Sequence, residues 1–100
     1  MNEGLVVGPA CASWRALTLS QLSLRVDING AMVHQGIGGH PLGDPLFPLV
    51  WMANHLAARG ITLRAGALVT TGSCNGIRFI GRGQQVEVTF AGLGKASICW

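Results

Sequence analysis

Several small groups of residues in this chain have the types needed for chemistry. The first is Thr71-Gly72-Ser73, which follows the apolar run Ala67-Leu68-Val69. Two hydroxyls flanking a glycine at a strand end offer N–H and O–H donors suited to the carboxylate or carbonyl of a small substrate. The same residue types also build ordinary strand-to-loop turns, and spacing alone leaves both readings open. The second group is the acids: Glu3, Asp27, Asp44 and Glu87. No two are close in sequence, so no carboxylate pair for acid–base work is visible. No E-x-E or D-x-D pair stands ready for a hard cation. The third group is His34, His40 and His55, whose spacing matches no metal-ligand motif. His34 reads as the polar face of a strand and His55 as lying off the apolar stripe of a helix, both toward solvent. His40 sits in a glycine-rich loop before Pro41, where it is expected to hydrogen-bond and fix that loop. Cys11, Cys74 and Cys99 are an odd number at wide spacing. They read as reduced, mostly buried thiols of a cytoplasmic protein rather than a disulfide framework or zinc site, and Cys74 has no identifiable partner base.

The elements that must hold these residues follow from periodicity. Leu22, Leu24, Val26 and Ile28 alternate with Ser23, Arg25 and Asp27, the pattern of a half-buried strand. Asn29-Gly30 then predicts a two-residue hairpin turn, pairing Ile28 with Ala31, Val26 with Val33 and Leu24 with Gln35. Residues 36–43 form a glycine-rich loop; it contains no Lys and follows no βαβ pattern, which argues against a phosphate cradle. Asp44 and Pro45 start a helix with Leu46, Leu49, Val50, Ala53, Leu56 and Ala57 on one face, ended by Gly60. Further strands are expected at Leu5-Val6-Val7, residues 67–71, 77–80, 85–90 and 96–100. With about seven strands and one helix, the expected class is α+β and β-rich. The expected architecture is a curled mixed sheet or barrel-like roll with one main helix packed outside.

Composition bounds the function. Seven Lys+Arg against four Asp+Glu give +3, but the basic residues form no run, which speaks against nucleic acid. The most apolar stretch, residues 45–58, is interrupted by Pro48, Asn54 and His55 and is too short to span a membrane. Glu3 stands where a signal peptide would carry basic residues, and without those Gly8-Pro9-Ala10-Cys11 makes a poor lipobox. Charged residues are only 11% and apolar residues 49% of the 100, against roughly 25% charged in an ordinary domain. Few charges and ample apolar material predict surfaces that meet another chain or another part of a larger fold.

Five segments occur in an order that resembles one family: Gly39-His40-Pro41, Val50-Trp51-Met52-Ala53-Asn54-His55-Leu56, Leu63-Arg64-Ala65-Gly66, Thr71-Gly72-Ser73 and Phe90-Ala91-Gly92-Leu93-Gly94. Together they resemble the C-terminal part of the 2-keto-4-pentenoate hydratases, within the fumarylacetoacetate hydrolase superfamily. The resemblance implies a β-rich roll, usually oligomeric, and hydration of 2-hydroxypenta-2,4-dienoate to 4-hydroxy-2-oxopentanoate in aromatic-compound catabolism. It implies Mg²⁺ or Mn²⁺ gripping and polarising the 2-keto acid, and places Thr71, Gly72 and Ser73 at the substrate pocket. It also implies what is not here: the family's metal-binding acids, an E-x-E pair included, precede the matching part. Glu3 does not align with them, and Ala67 stands where relatives often carry an acid. No catalytic residue and no metal ligand is therefore assigned to this chain. Residues 1–100 are expected to be a single segment, the incomplete C-terminal part of a larger catalytic domain. It would homo-oligomerise or pair with the N-terminal half. The superfamily's decarboxylases and acylpyruvate hydrolases, and a non-catalytic β module, remain the alternatives.

Overall fold

Asn29 and Gly30 both adopt positive φ, 52° and 78°, the geometry a type I′ hairpin needs. In the computed structural model, which describes residues 4–74 and 76–100, this turn joins β1 (Ser23–Ile28) to β2 (Ala31–Ile37). A second hairpin, β3 (Gln85–Phe90) and β4 (Gly94–Cys99), lies beside the first. The strand order is β2-β1-β3-β4 and every pairing is antiparallel. The Asn29 side chain helps join the hairpins, because its Oδ1 accepts the Gln85 N–H at 2.8 Å. The α+β class with one main helix is as expected, and the sheet is open and purely antiparallel among the described residues.

The hairpin register agrees at Ile28↔Ala31 and then departs from expectation. A bulge between Val26 and Asp27 leaves Val33 unpaired, so Val26 faces His34 and Leu24 faces Gly36. An extra residue in one strand reverses the facing of everything beyond it. His34 is therefore on the Leu24–Val26 face and half-buried, not on the polar face. That face continues through Val86, Val88 and Phe90 on β3. It contains the two apolar side chains that are buried among the described residues, Leu24 at 1% and Val26 at 2% exposure.

The helix α1 (Leu46–Ala58) begins and ends as its termini dictate. Asp44 Oδ1 accepts the Leu46 N–H at 2.9 Å and the Asp44 carbonyl accepts from Phe47. At the other end Gly60, at φ 74°, donates to Ala57 while Ile61 donates to Leu56, a Schellman closure. Its half-buried side is Leu46, Pro48, Leu49, Met52, Ala53 and Leu56; Val50 and Ala57, expected on that face, are exposed. No helix residue is buried, so α1 does not pack closely on the sheet as expected.

Three expected strands are absent among the described residues. Leu5-Val6-Val7, residues 67–71 and residues 77–80 lie outside any strand, with Ile77 85% and Phe79 92% exposed. Apolar composition favours a strand only where a neighbour supplies hydrogen bonds, and no described segment does so here. The chain exposes 7533 Å², where a compact protein of this mass exposes roughly 5,400 Å². Its radius of gyration is 15.0 Å against about 13 Å for a closed 100-residue globule. Leu24→Ala should lower unfolding stability by about 2–4 kcal/mol, while Phe79→Ala should change it by less than about 0.5 kcal/mol. Urea denaturation followed by circular dichroism measures both.

Candidate functional site

The loop after β2 turns back on the chain through backbone that only glycine adopts cheaply. Gly38 donates to the Leu22 carbonyl at 2.8 Å. Gly39 has φ 96°, and a Cβ there would lie 2.6 Å from the Cys74 carbonyl oxygen. This close approach brings residues 38–42 against residues 71–74. On the other side of the junction Gly72 has φ 109°, and a Cβ on it would lie 3.3 Å from His40 Nε2.

His40 is 9% exposed and joins the two segments. Its Nδ1 faces the Leu42 N–H at 3.1 Å and its Nε2 bonds the Thr71 carbonyl. A backbone N–H only donates and a carbonyl only accepts, so Nδ1 is the bare nitrogen and Nε2 carries the proton. His40 thus fixes its loop, as the sequence predicts, but it does so across 31 positions of chain. In Thr71-Gly72-Ser73, Thr71 is half-buried and Gly72 and Ser73 are exposed. The Ser73 hydroxyl donates to the Gly76 carbonyl at 2.8 Å. That bond shapes the turn and engages the hydroxyl proton that sequence reasoning offered to a substrate. The result is a small, partly exposed backbone surface at which Gly39 and Gly72 permit the close approach of the two segments.

A second polar assembly went unseen in the sequence. Strand pairing sets Asp27 directly opposite Glu87, so a carboxylate pair exists although no two acids are close along the chain. Like charges in that position repel, and each carboxylate has its own cation. Arg25 Nε and a terminal guanidinium nitrogen fork onto Asp27 at 2.8–3.0 Å, and Lys95 lies 3.6 Å from Glu87. The hydrogen bonds and charge of Asp27 push the Arg25 pKa up. Asp27 is buried. A cleft of about 530 Å³ opens here, lined by Arg25, Asp27, Gly30, Gln85, Glu87 and Thr89. Its charges neutralise one another and account for its polarity. It is a sheet face held by ion pairs.

No group of three or more His, Cys, Asp or Glu side chains among the described residues is placed to hold a metal ion. The donors present do not fit a metal centre on their own, and Glu3 lies outside the described residues. His55 is exposed and stacks on Trp51, with ring centroids 4.7 Å apart. The cysteines are free, but Cys11 and Cys74 are only half-buried and Cys99 is exposed, less buried than expected. No helix among the described residues is long and apolar enough to cross a membrane.

Residues 1–98 match the family model described as fumarylacetoacetate (FAA) hydrolase C-terminal. The chain belongs to the fumarylacetoacetate hydrolase family. Similar family members include a 4-oxalocrotonate decarboxylase of Pseudomonas putida, 32% identical over 92% of this chain and 35% of its own length. A 2-keto-4-pentenoate hydratase of Paraburkholderia xenovorans is 33% identical over 90% of this chain and 34% of its own. The solved structure of 4-oxalocrotonate decarboxylase from Pseudomonas putida G7, complexed with calcium and acetate, superposes with a TM-score of 0.75 at 33% identity. It covers 90% of this chain and 35% of the decarboxylase. The chain thus spans about a third of the length of these relatives.

The junction makes a sharp stability prediction. Gly39→Ala meets both an unfavourable φ and a backbone oxygen, whereas Gly43→Ala, at φ 81° with open space around it, meets only the first. Gly43→Ala should cost about 1–2 kcal/mol and Gly39→Ala should cost clearly more. Paired denaturation curves decide it; equal costs would mean that the Gly39–Cys74 approach is not tight.

Proposed function

We propose that this chain supplies part of the 2-keto-acid pocket of a hydratase of the 2-keto-4-pentenoate type, with Thr71, Gly72 and Ser73 as its substrate-binding residues. The reaction is addition of water to 2-hydroxypenta-2,4-dienoate, giving 4-hydroxy-2-oxopentanoate. The observation that carries this reading is the His40-bonded junction, which in a chain of this family presents a glycine-opened backbone beside two hydroxyl residues. Such a surface can hold a carboxylate or keto oxygen and stabilise the enolate-like charge that develops as the substrate tautomerises and takes up water.

The metal is assigned elsewhere. Calcium in the related decarboxylase structure supports a divalent cation, Mg²⁺ or Mn²⁺, in the complete enzyme. Its ligands come from outside the residues described here, so residues 1–100 act as one segment of a larger catalytic domain. The large exposed area and the unpaired apolar segments at residues 5–7 and 77–80 support completion by the family's remaining fold, or by an oligomer, in the cytoplasm. Decarboxylation is the second reading, because the 4-oxalocrotonate decarboxylase is as similar, at 32%, as the hydratase at 33%.

Loss of dienoate absorbance by the purified, folded chain, with and without Mg²⁺, tests the assignment. No turnover is expected from the chain alone, and metal-dependent turnover is expected once the rest of the fold is supplied. Turnover by the chain alone would overturn the external metal site. Release of CO₂ from 4-oxalocrotonate without dienoate hydration would favour the decarboxylase reading. In the completed protein, Thr71→Val should weaken keto-acid binding about five- to tenfold, the worth of a hydrogen bond, with little change in unfolding midpoint, and Ser73→Ala should do the same where the Ser73 hydroxyl exchanges its Gly76 acceptor for the substrate. Unchanged affinity would remove these residues from the pocket.

A further inference from the structure

We propose that His40 is the positioning residue of this pocket: a neutral imidazole, protonated at Nε2, that latches the glycine loop and the Thr71-Gly72 backbone into a single arrangement. The proposal rests on the reading of residues 71–73 as a keto-acid site, and deepens it. Residues 71–74 belong to no helix or strand, so no ladder of backbone bonds holds them. Two glycines in left-handed backbone, Gly39 and Gly72, leave the junction free to move unless something restrains it. The restraint is the imidazole, which is 9% exposed and has a partner on each nitrogen.

Both ring nitrogens are engaged by backbone, so His40 does not exchange protons with a substrate. It acts through the segment it holds. Its Nε2–H occupies the Thr71 carbonyl, an acceptor that would otherwise present negative charge toward an anionic ligand. The latch therefore biases the segment toward carboxylates and keto oxygens and away from ammonium groups. The tautomer is essential: with the proton on Nδ1, the ring would turn a bare nitrogen to a carbonyl and an N–H to the Leu42 N–H, and both contacts would become repulsive.

The two bonds can be separated by substitution. In His40→Asn a short amide can still accept the Leu42 N–H, as in an Asx-turn, but cannot reach Thr71. In His40→Gln the longer arm restores a donor toward the Thr71 carbonyl. NMR on the isotopically labelled full chain reads the latch without any ligand. The wild type should show a bare Nδ1 and a protonated Nε2. The Thr71 carbonyl ¹³C signal should move in His40→Asn and return toward the wild-type position in His40→Gln. Leu42 amide exchange should be nearly unchanged in His40→Asn. Pyruvate, titrated as the probe into the completed protein with Mg²⁺, should shift the Gly72 and Ser73 amides. It should bind about five- to tenfold more weakly to His40→Asn, the worth of one hydrogen bond, and His40→Gln should recover part of that loss. A wild-type ring protonated at Nδ1, or averaging between tautomers, overturns the latch, as does a Thr71 carbonyl indifferent to His40→Asn. The wild-type spectrum decides this even where a variant fails to fold. Pyruvate that leaves the Gly72 and Ser73 amides unmoved in the completed, metal-loaded protein sinks the keto-acid reading alone, because the latch is read in its absence.

Discussion

Both edges of β1 are occupied, by β2 on one side and β3 on the other, and the rest of the chain is arranged around that double pairing. Among the described residues, it creates the only face on which apolar side chains are fully removed from water, at Leu24 and Val26. It also closes a long loop of chain, which costs entropy that those few buried contacts must offset. Everything between β2 and β3, the helix and the glycine junction included, hangs from this closure. The Asn29 turn reinforces it, since one side chain both permits the tight hairpin and bonds the start of β3.

The same closure brings the charged residues together. Asp27 and Glu87 are neighbours because β1 and β3 pair in one register, and that pairing is tolerated because Arg25 and Lys95 stand beside them. The polar face of the sheet is therefore a balanced charge network, and the apolar face opposite it is a thin core. An exposed helix and apolar segments without strand partners complete a surface larger than a closed globule would keep. The chain spans about a third of the length of the relatives it matches.

At the junction, the structural role and the proposed chemical role belong to different residues. His40 is buried and saturated, Gly39 and Gly72 permit the close approach, and the hydroxyl residues lie beside them. Rigidity comes from an imidazole bridging two irregular segments, in place of a strand or helix. This division suits a pocket that must present fixed dipoles to a developing charge without itself taking a proton.

Local physics made much of this legible in the amino-acid sequence. Asn29-Gly30 demanded positive φ and specified the hairpin; Asp44 and Gly60 bounded the helix; alternation at Val86, Val88 and Phe90 marked β3; and a histidine among glycines announced a loop to be fixed. Each of these depends on residues within a turn or two of one another. What the sequence could not determine depended on contacts between distant segments. The bulge at Val33 changed the facing of His34 because pairing with β1, not alternation along β2, sets the register. The Asp27–Glu87 pair arose from strands far apart in the chain. The apolar runs at residues 5–7, 67–71 and 77–80 have strand-like composition but no partner among the described residues, and a strand is a property of a pair. The partner of His40, the carbonyl of Thr71, was likewise chosen only by the fold, because a hydrogen bond across a closed loop leaves no periodic trace in the residues that make it.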